Sequence, residues 1–357
     1  MEIGFNRGIV VSDGSKKILL DPETTSSPIG IPTFISHAHS DHTAGLRGSS
    51  ISHCTPETIE IYEQVSKKPG RNVNELPFYE PINVGELEVE FIPAGHLLGA
   101  AQVVVRHGEE SLIYTGDFCP EDLISVPKAD LPKDNFDVCI VETTYGKKSL
   151  KFPPRSTSRV RVLQFIMMCL KSGATPVINI SQVGGAQELI LFLNQMTKDL
   201  PIYVDEKIFV PSMIYKSHNP EMKFSSLDHF DKSESSVVLL SRATRKIPKC
   251  LTGKEVKRGI VSGQVSRFGF SQYDFTVPLS THATYNELLQ MIQSVKPSKI
   301  FTHYSYADDF ASHLRNTFGI NASPIKVLKD RMVPVRDIAD SLFFPAHNGP
   351  YTIDDFF

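Results

Sequence analysis

Hydrophobic and polar positions alternate in short runs over the first 145 residues, and this pattern predicts β-strands separated by turns. The apolar runs GIVV and KILL flank Ser12-Asp13-Gly14-Ser15, which is a hairpin signature. ELEVEFIPAGH alternates with a period of two, and AQVVVRHGEESLIYTGDF has the pattern strand, turn, strand. VCIVETTYG indicates a buried strand that continues into a polar loop. This region is therefore predicted to be mostly sheet.

The pattern changes near residue 150, where helical spacing begins. STSRVRVLQFIMMCLKSG predicts a helix that ends at Gly173. TPVINIS, GAQELILFLNQMTKD, PIYVD and SSVVLLS then alternate in the way expected of an α/β unit. From about residue 275, FTVPLSTHA and KIFTHYS alternate with the helical segments YNELLQMIQSV and ADDFASHLRNTFG. These runs predict an α/β core, an inserted α/β unit of roughly 120 residues, and a return to the core.

Composition places the chain among globular proteins. Its 357 residues are 41% hydrophobic and 22% charged, which suits a chain long enough for two structural units. The net charge of −3 argues against binding nucleic acid through bulk charge, so any phosphate contact has to come from local basic patches.

Cysteine usage and the apolar runs bear on the cellular compartment. The five cysteines are widely spaced and form no C-x-x-C pair, which favours reduced thiols. The start, MEIGFNRGIV, has no signal pattern, and the densest apolar run, LQFIMMCL, is too short to span a bilayer. We therefore expect a cytoplasmic protein.

Candidate chemistry concentrates in residues 34–45, FISHAHSDHTAG. His37 and His39 are two positions apart in extended chain and can bind one ion from the same side. Asp41 and His42 follow the bend and can bind a second ion. Imidazole and carboxylate without thiolate suit zinc. A lone histidine here would be structural, but H-x-H-x-D-H after an apolar strand predicts a two-metal hydrolytic site.

This segment resembles the signature of the metallo-β-lactamase fold. That family has a further histidine and a bridging aspartate at strand ends, and His96 in IPAGHLLGA and Asp117 in IYTGDF stand in those places. VETTYG, PLSTHATYNEL and IFTHYS look like the additional motifs of the β-CASP nuclease branch, with Glu142, His282 and His303 at the functional positions. The resemblance implies an αββα sandwich with an inserted α/β β-CASP cap domain.

The resemblance also implies domain boundaries. These are 1–148 for the N-terminal part of the core, 149–274 for the cap, 275–345 for the C-terminal part of the core, and 346–357 for a tail. Two positions depart from the family pattern. Gly185 stands where an arginine normally precedes Ala-Gln-Glu, and Thr281 precedes His282 where an acidic or small residue is common.

Site roles follow from the same resemblance. His37, His39 and His96 would bind one Zn²⁺, Asp41, His42 and His303 would bind the other, and Asp117 would bridge them. Manganese is the alternative metal.

The catalytic residues that the resemblance implies are Asp41, Glu142 and His282. His282 is the candidate general acid, and Glu142 is expected to hold it protonated. The structural alternative for Glu142 is a carboxylate that caps a neighbouring backbone group.

The predicted function is a zinc-dependent nuclease, acting as a DNA exonuclease in repair or replication. One alternative is an RNA 3′-end-processing nuclease, because RNA-cleaving members usually have histidine at position 303. Another is a small-molecule hydrolase of the lactonase, thioesterase or β-lactamase type, which has no need of Glu142, His282 or the insert. A third is a non-catalytic scaffold.

Two basic runs are predicted to contact nucleic-acid phosphates, although a solvated surface is the usual fate of such runs. The first, GKKSLKFPPRSTSRVR, contains Lys147, Lys148, Lys151, Arg155, Arg159 and Arg161. The second, SRATRKIPKCLTGKEVKR, carries seven basic residues against Glu255.

The last residues, GPYTIDDFF, resemble a sliding-clamp interaction motif. Ile353, Phe356 and Phe357 would be its anchors, with Pro350 at the position usually held by glutamine. The alternative is a terminal segment packed on the core.

Overall fold

The computed structural model describes residues 1–25, 30–132 and 135–340, with only the backbone described for 339 and 340. The chain forms two compact units. Unit 1 contains Met1–Asp122, Pro127–Ser149 and the described residues from His282 onward, and unit 2 contains Leu123–Val126 and Leu150–Thr281. Ile353, Phe356 and Phe357 lie outside the described residues, so the clamp motif stays a prediction.

The N-terminal part of unit 1 is mostly strand. Its elements are β1 (Glu2–Phe5), β2 (Ile9–Ser12), β3 (Lys17–Leu20), β4 (Thr33–Phe34), β5 (Ser52–Cys54), α1 (Pro56–Ser66), β6 (Val73–Glu75), β7 (Ile82–Val84), β8 (Leu87–Pro93), β9 (Ala101–His107), β10 (Glu110–Tyr114) and β11 (Val138–Glu142).

Unit 2 alternates helix and strand, as its sequence predicts. Its elements are α2 (Arg155–Lys171), β12 (Thr175–Ile180), α3 (Gly185–Met196), β13 (Ile202–Val204), α4 (Glu206–His218), β14 (Ser225–Ser226), β15 (Val237–Ser241), β16 (Val256–Val261) and β17 (Phe275–Val277). Unit 1 then resumes with α5 (Tyr285–Val295), β18 (Lys299–His303), α6 (Ala307–Phe318), β19 (Ala322–Pro324), β20 (Met332–Pro334) and α7 (Val335–Asp340).

Two sheets of unit 1 share one hydrophobic core. Sheet A has the order β20-β1-β2-β3-β4-β5-β6, and sheet B has the order β19-β18-β11-β10-β9-β8-β7. The core cluster takes Ile3 and Phe34 from sheet A and Val103 and Ile140 from sheet B, all fully buried. This packing is the sandwich that the family resemblance implied, and the alternating pattern supplies its inward-pointing residues.

The predicted hairpin is present at the start of sheet A. β2 and β3 pair antiparallel, and the Asp13 side chain accepts hydrogen bonds from the backbone N–H groups of Ser15 and Lys16 at 2.7 and 2.6 Å. Because the Asp13 side chain accepts hydrogen bonds from backbone N–H groups of its own turn, this short polar stretch can reverse the direction of the chain.

The sheet of unit 2 is entirely parallel, in the order β14-β13-β15-β12-β16-β17. Within this unit Arg159 of α2 is buried and pairs with Glu188 of α3 at 2.5 Å. The other carboxylate oxygen of Glu188 accepts hydrogen bonds from the backbone N–H and hydroxyl of Ser125, at 2.9 and 2.8 Å.

The prediction that the whole first basic run contacts phosphates is wrong for two of its members. Arg155 and Arg159 are 5% and 8% exposed, and the Arg155 Nε donates to the Ser280 carbonyl. Lys147, Lys148 and Arg161 are exposed, so their contact with phosphates stays a prediction.

Two general expectations can be compared with the described residues. No helix among them is both long and apolar enough to cross a membrane. All five cysteines are free thiols, and four of them are buried.

Candidate metal centre and general acid

The H-x-H-x-D-H segment begins where β4 ends, at the edge of the unit 1 core. Backbone hydrogen bonds fix its start, because the Ile35 N–H donates to the His53 carbonyl and the Ala101 N–H donates to the Ser36 carbonyl, both at 2.8 Å. A turn closed by the His42 N–H and the His39 carbonyl at 3.0 Å then brings the later residues back toward the first histidine.

His37, His39, His96 and Asp117 form one group in which a ligand atom from each lies within 4.8 Å of the others. The His96 Nε2 and His39 Nδ1 atoms are 3.2 Å apart. The His37 Nδ1 lies 2.9 Å from the Ser36 hydroxyl, whereas its Nε2 is buried without a hydrogen-bond partner. A buried ring nitrogen of this kind, with burial lowering the pKa of His37, is suited to bind a cation as a neutral ligand.

Asp117 lies at the centre of the imidazoles. Its Oδ2 is 3.5 Å from the His37 Nε2, 3.6 Å from the His42 Nε2 and 3.9 Å from the His96 Nε2. Burial raises the pKa of Asp117 to about 6, against the opposing effect of His282 and His42. One carboxylate oxygen within reach of several imidazoles is the arrangement expected of a bridging ligand.

Two glycines set the directions of the strand-end ligands. Gly116, before Asp117, has φ +53°, and a Cβ there would lie 2.7 Å from the Ser36 Cβ. Gly95, before His96, has φ +68°, and a Cβ there would lie 2.3 Å from a backbone nitrogen. Both positions therefore require glycine for conformation and for space.

Asp21, which follows β3, is a site residue that the sequence motifs do not identify. Its Oδ2 is 2.7 Å from the His42 Nδ1 and accepts hydrogen bonds from the hydroxyls of Ser36 at 2.5 Å and Tyr114 at 2.8 Å. Its other oxygen accepts the Ser36 N–H at 2.7 Å. Asp21 thus orients the His42 ring, so that Nε2 faces Asp117.

Two carboxylates lie close to the His42 ring, those of Asp21 and Asp117. Burial alone would lower its pKa, but the charges of Asp117 and Asp21 raise the pKa of His42 to about 9. Two carboxylates facing one imidazole supply the negative charge that a bound cation requires.

The predicted pair Glu142 and His282 is in contact. The His282 Nδ1 lies 3.2 Å from the Glu142 Oε1 and 3.7 Å from the Asp117 Oδ2. Burial opposes ionisation of both groups, yet Asp117 and Glu142 raise the pKa of His282 to about 9, and His282 holds the pKa of Glu142 below its usual value. Glu142 also accepts the Thr144 N–H at 3.0 Å, which favours its carboxylate form.

The two remaining predicted ligands lie at the margin of the site. Asp41 is 75% exposed, with its Oδ2 3.9 Å from the His42 Nε2. His303 is buried and stacks on the Tyr304 ring at a centroid distance of 3.9 Å, outside the close ligand groups of the described residues. Ligand roles for both residues stay predictions.

Tyr304, the neighbour of His303, also reaches the site. Its hydroxyl is 3.3 Å from the His42 Nδ1 and 3.0 Å from the Tyr114 hydroxyl. Its backbone has φ +67°, which is unusual for a tyrosine and turns the chain sharply after β18. A single residue in a left-handed conformation leaves no periodic signal, so the sequence pattern could not reveal this contact.

Comparison with known proteins gives matches over both parts of unit 1. Residues 26–163 match the description "Beta-lactamase superfamily domain", and residues 275–323 match "Zn-dependent metallo-hydrolase RNA specificity domain". A solved structure from Enterococcus faecalis, titled as a protein of unknown function, superimposes with a TM-score of 0.58 at 12% identity, covering 86% of this chain and 95% of that one. That likeness concerns the fold alone.

Several curated proteins are similar in sequence. A "Probable DNA ligase" from Opitutus terrae is 29% identical over 79% of this chain and 28% of its own length. An "RNase J-like protein" from Methanocaldococcus jannaschii is 27% identical over 53% of this chain and 52% of its own length. "Probable RNase MJ4" from the same organism is 25% identical over 84% of this chain and 72% of its own length.

The chain thus spans between about a quarter and a half of the first two relatives. The matched domains confirm the fold class predicted from the sequence. The chain therefore combines a metallo-β-lactamase domain with a Zn-dependent metallo-hydrolase RNA specificity domain, and the relatives it resembles are of the β-CASP family.

Proposed function

We propose that this chain is a metal-dependent nuclease that hydrolyses the phosphodiester bonds of nucleic acid. The observation that carries the proposal is the contact between His282 and buried Glu142 beside Asp117. A phosphodiester has an alkoxide leaving group that needs a proton, and a positively charged imidazole next to the metal ligands can provide it.

The ligand groups suit a zinc site. His37, His39, His96 and Asp117 would bind one ion, and the second would take His42 and Asp117 together with Asp41 and His303. Two bound zinc ions would supply an activated water and would neutralise charge at the phosphate during in-line displacement.

The other steps belong to side chains of the chain itself. Glu142 and Asp117 face the Nδ1 of His282 and keep the imidazole charged, so that Nε2 is the nitrogen that donates a proton to the departing sugar oxygen. Glu142 also orients the ring, which reduces the entropy lost on reaching the transition state. Asp21 holds His42 in the tautomer whose Nε2 can bind metal.

The proposed substrate is DNA, cleaved from its ends. The similarity to a "Probable DNA ligase" over 79% of the chain supports a role near DNA ends. RNA is the second candidate, because residues 275–323 match a domain described by its RNA specificity and other relatives are named as ribonucleases. A cytosolic location and binding to a sliding clamp through Ile353, Phe356 and Phe357 remain part of the proposal.

The proposal is tested with purified zinc-loaded protein on 5′- and 3′-labelled DNA and RNA, each single- and double-stranded. Wild type and the exposed-histidine control His229→Ala should cleave at equal rates. His282→Ala should lose about 10²–10⁴-fold in rate, the usual contribution of a general acid. Metal content, measured by plasma mass spectrometry, should stay the same in all three proteins.

Three outcomes would contradict the proposal or part of it. Turnover of a lactone, thioester or β-lactam without cleavage of any nucleic acid would assign the site to small-molecule hydrolysis. Equal cleavage by His282→Ala and wild type would remove the general-acid role. Loss of metal together with activity would make His282 a ligand.

A further inference from the structure

A second large concave surface lies on unit 1, separate from the ligand groups described above. It has a volume of about 1070 Å³. Phe5, Val10, Leu19 and Met332 of sheet A contribute to its lining. Its charged lining residues are Arg7, Lys17, Glu23, Lys326, Lys329, Asp330 and Arg331. We refer to this surface as the basic groove.

Charge distinguishes the basic groove from the rest of the chain. Five of its lining side chains are cationic and two are acidic, whereas the whole chain has a net charge of −3. Among the described residues, no carboxylate lies within ion-pair distance of Arg7, Lys17, Lys326 or Lys329. Uncompensated cations collected in a concavity focus the electrostatic field and favour an anionic ligand.

The walls of the basic groove are fixed by backbone hydrogen bonds. The Glu23 N–H donates to the Arg7 carbonyl at 2.8 Å, and the Asp330 N–H donates to the Phe5 carbonyl at 3.0 Å. The Arg331 guanidinium is held by its Nε bond to the Val327 carbonyl at 2.9 Å. Since the chain segments that carry the cations are tied together, a ligand would meet them already positioned.

The basic groove adjoins the predicted metal ligand His303. The ring of Phe5 contacts the His303 ring edge-on, with centroids 5.5 Å apart. Lys326 lines both the groove and the smaller cavity that contains His303 and Tyr304. A nucleic-acid strand bound in the groove can therefore continue toward His303 within unit 1.

We propose that the basic groove binds the sugar–phosphate backbone of a single-stranded segment of the substrate, beyond the bond that is cleaved. This inference rests on the proposed nuclease function. The cations would contact successive phosphates and release condensed counterions, which gives affinity without sequence preference. The volume is close to the upper limit of small-ligand pockets, about 1,000 Å³, so it suits a short stretch of one strand rather than a duplex.

The test compares wild type with Lys17→Glu/Lys329→Glu, two exposed groove positions outside the predicted catalytic machinery. The matched control is Lys68→Glu/Arg71→Glu, which reverses two exposed cations of unit 1 outside the groove. Binding of a nuclease-resistant phosphorothioate strand of about 30 nucleotides is followed by fluorescence anisotropy over a range of salt concentrations. Hydrolysis of bis(p-nitrophenyl) phosphate reports the metal centre alone.

The groove variant should bind the strand on the order of tenfold more weakly at low salt. Its negative slope of log K against log salt should become shallower by about 1.4, which is 0.7 for each of two lost phosphate contacts. The control variant should retain wild-type affinity and slope, and all three proteins should hydrolyse the small ester equally.

Unchanged affinity and slope in the groove variant would overturn the proposal. Displacement of the strand by polyglutamate as readily as by unlabelled strand would also overturn it, because the groove would then recognise acidic peptide. If wild type binds but cleaves no nucleic acid, the proposed function fails, while a groove-dependent loss of affinity would still support this surface.

Discussion

At the scale of single residues, the site depends on side chains that contact the candidate metal ligands and hold them in place. Asp21 is the clearest example, because its two oxygens accept from Ser36 and Tyr114 and hold the His42 Nδ1. Such contacts fix the tautomer and ring orientation of a histidine before any ion binds. They raise the affinity for metal, because less entropy is lost in ordering the imidazole ring when the ion binds.

Asp21→Asn should weaken metal binding by about 10–100-fold, the usual cost of losing a carboxylate behind a histidine ligand. The variant keeps the size of the side chain but removes the charge that faces His42. Competition with a chromophoric chelator measures the effect. Asp137→Asn is the matched control, since Asp137 also accepts a backbone N–H in unit 1 but lies away from the ligands. Equal metal affinity in both variants would contradict this role of Asp21.

Gly116→Ala should cost about 1–3 kcal/mol of unfolding free energy and should displace Asp117. The added Cβ would lie 2.7 Å from Ser36 at a residue with φ +53°. Gly108→Ala separates the two causes, because Gly108 has φ +59° but no atom within 4 Å of the added carbon. Urea unfolding and metal content are measured for both. A similar loss in the two variants would mean that backbone conformation alone matters at Gly116.

At the scale of elements, a sequence pattern predicts a helix or strand well when the signal for that element lies within the segment itself. The hairpin of β2 and β3 and the helix α2 are predicted because a turn residue or a regular spacing lies within each segment. Helix α4 lacks a regular apolar spacing and carries Pro211 in its interior, although Asp205 caps its start. Packing within unit 2 therefore overrides the local propensity there.

The buried pair of Arg159 and Glu188 shows the same limit. A run of basic residues predicts a solvated or phosphate-binding surface, but α2 turns Arg159 inward, where α3 supplies a carboxylate. The partner lies 29 positions later in the chain, and only the fold brings the two together. A pattern read along the sequence cannot distinguish this arginine from its exposed neighbours.

Glu188→Gln should destabilise the protein by about 3–5 kcal/mol, because it leaves the Arg159 guanidinium buried without its counter-charge. Arg159→Met/Glu188→Leu should recover most of that loss, since a well-packed apolar pair needs no charge compensation. Both are measured by urea unfolding, and the difference between them isolates the unpaired charge. A double variant as unstable as the single one would show that packing and the bonds to Ser125 dominate.

At the scale of the whole molecule, the described candidate ligands all belong to unit 1, although they come from chain segments on both sides of unit 2. The residue pattern predicted the compact H-x-H-x-D-H motif, which follows a recognisable strand, and the resemblance to a family added the strand-end residues His96 and Asp117. It did not predict Asp21 or Tyr304, whose contacts form only when distant strand ends meet. The resemblance to a family identified the Glu142–His282 pair, which neither residue's local pattern indicates.

Removal of metal should loosen unit 1 selectively. In hydrogen exchange followed by mass spectrometry, chelation should increase exchange in peptides covering residues 35–43 and 114–119. Peptides from α2 and β12 of unit 2 should exchange as before. The reason is mass action, because a metal that binds only the folded ligand groups stabilises the segments that carry them. An equal increase of exchange in both sets of peptides would contradict the prediction that the metal binds only to groups of unit 1.

The pairing of β11 with β18 has a consequence for the making of this protein. β11 is an inner strand of sheet B, yet one of its neighbours ends at His303, and the edge strand β20 pairs with β1 at the opposite end of the chain. The ribosome synthesises all of unit 2 before it synthesises β18. Until then, the edge of β11 that pairs with β18 is unpaired in the nascent chain. Pairing over such sequence distances makes folding slow, and a chain that stops within unit 2 also lacks His282, the predicted general acid.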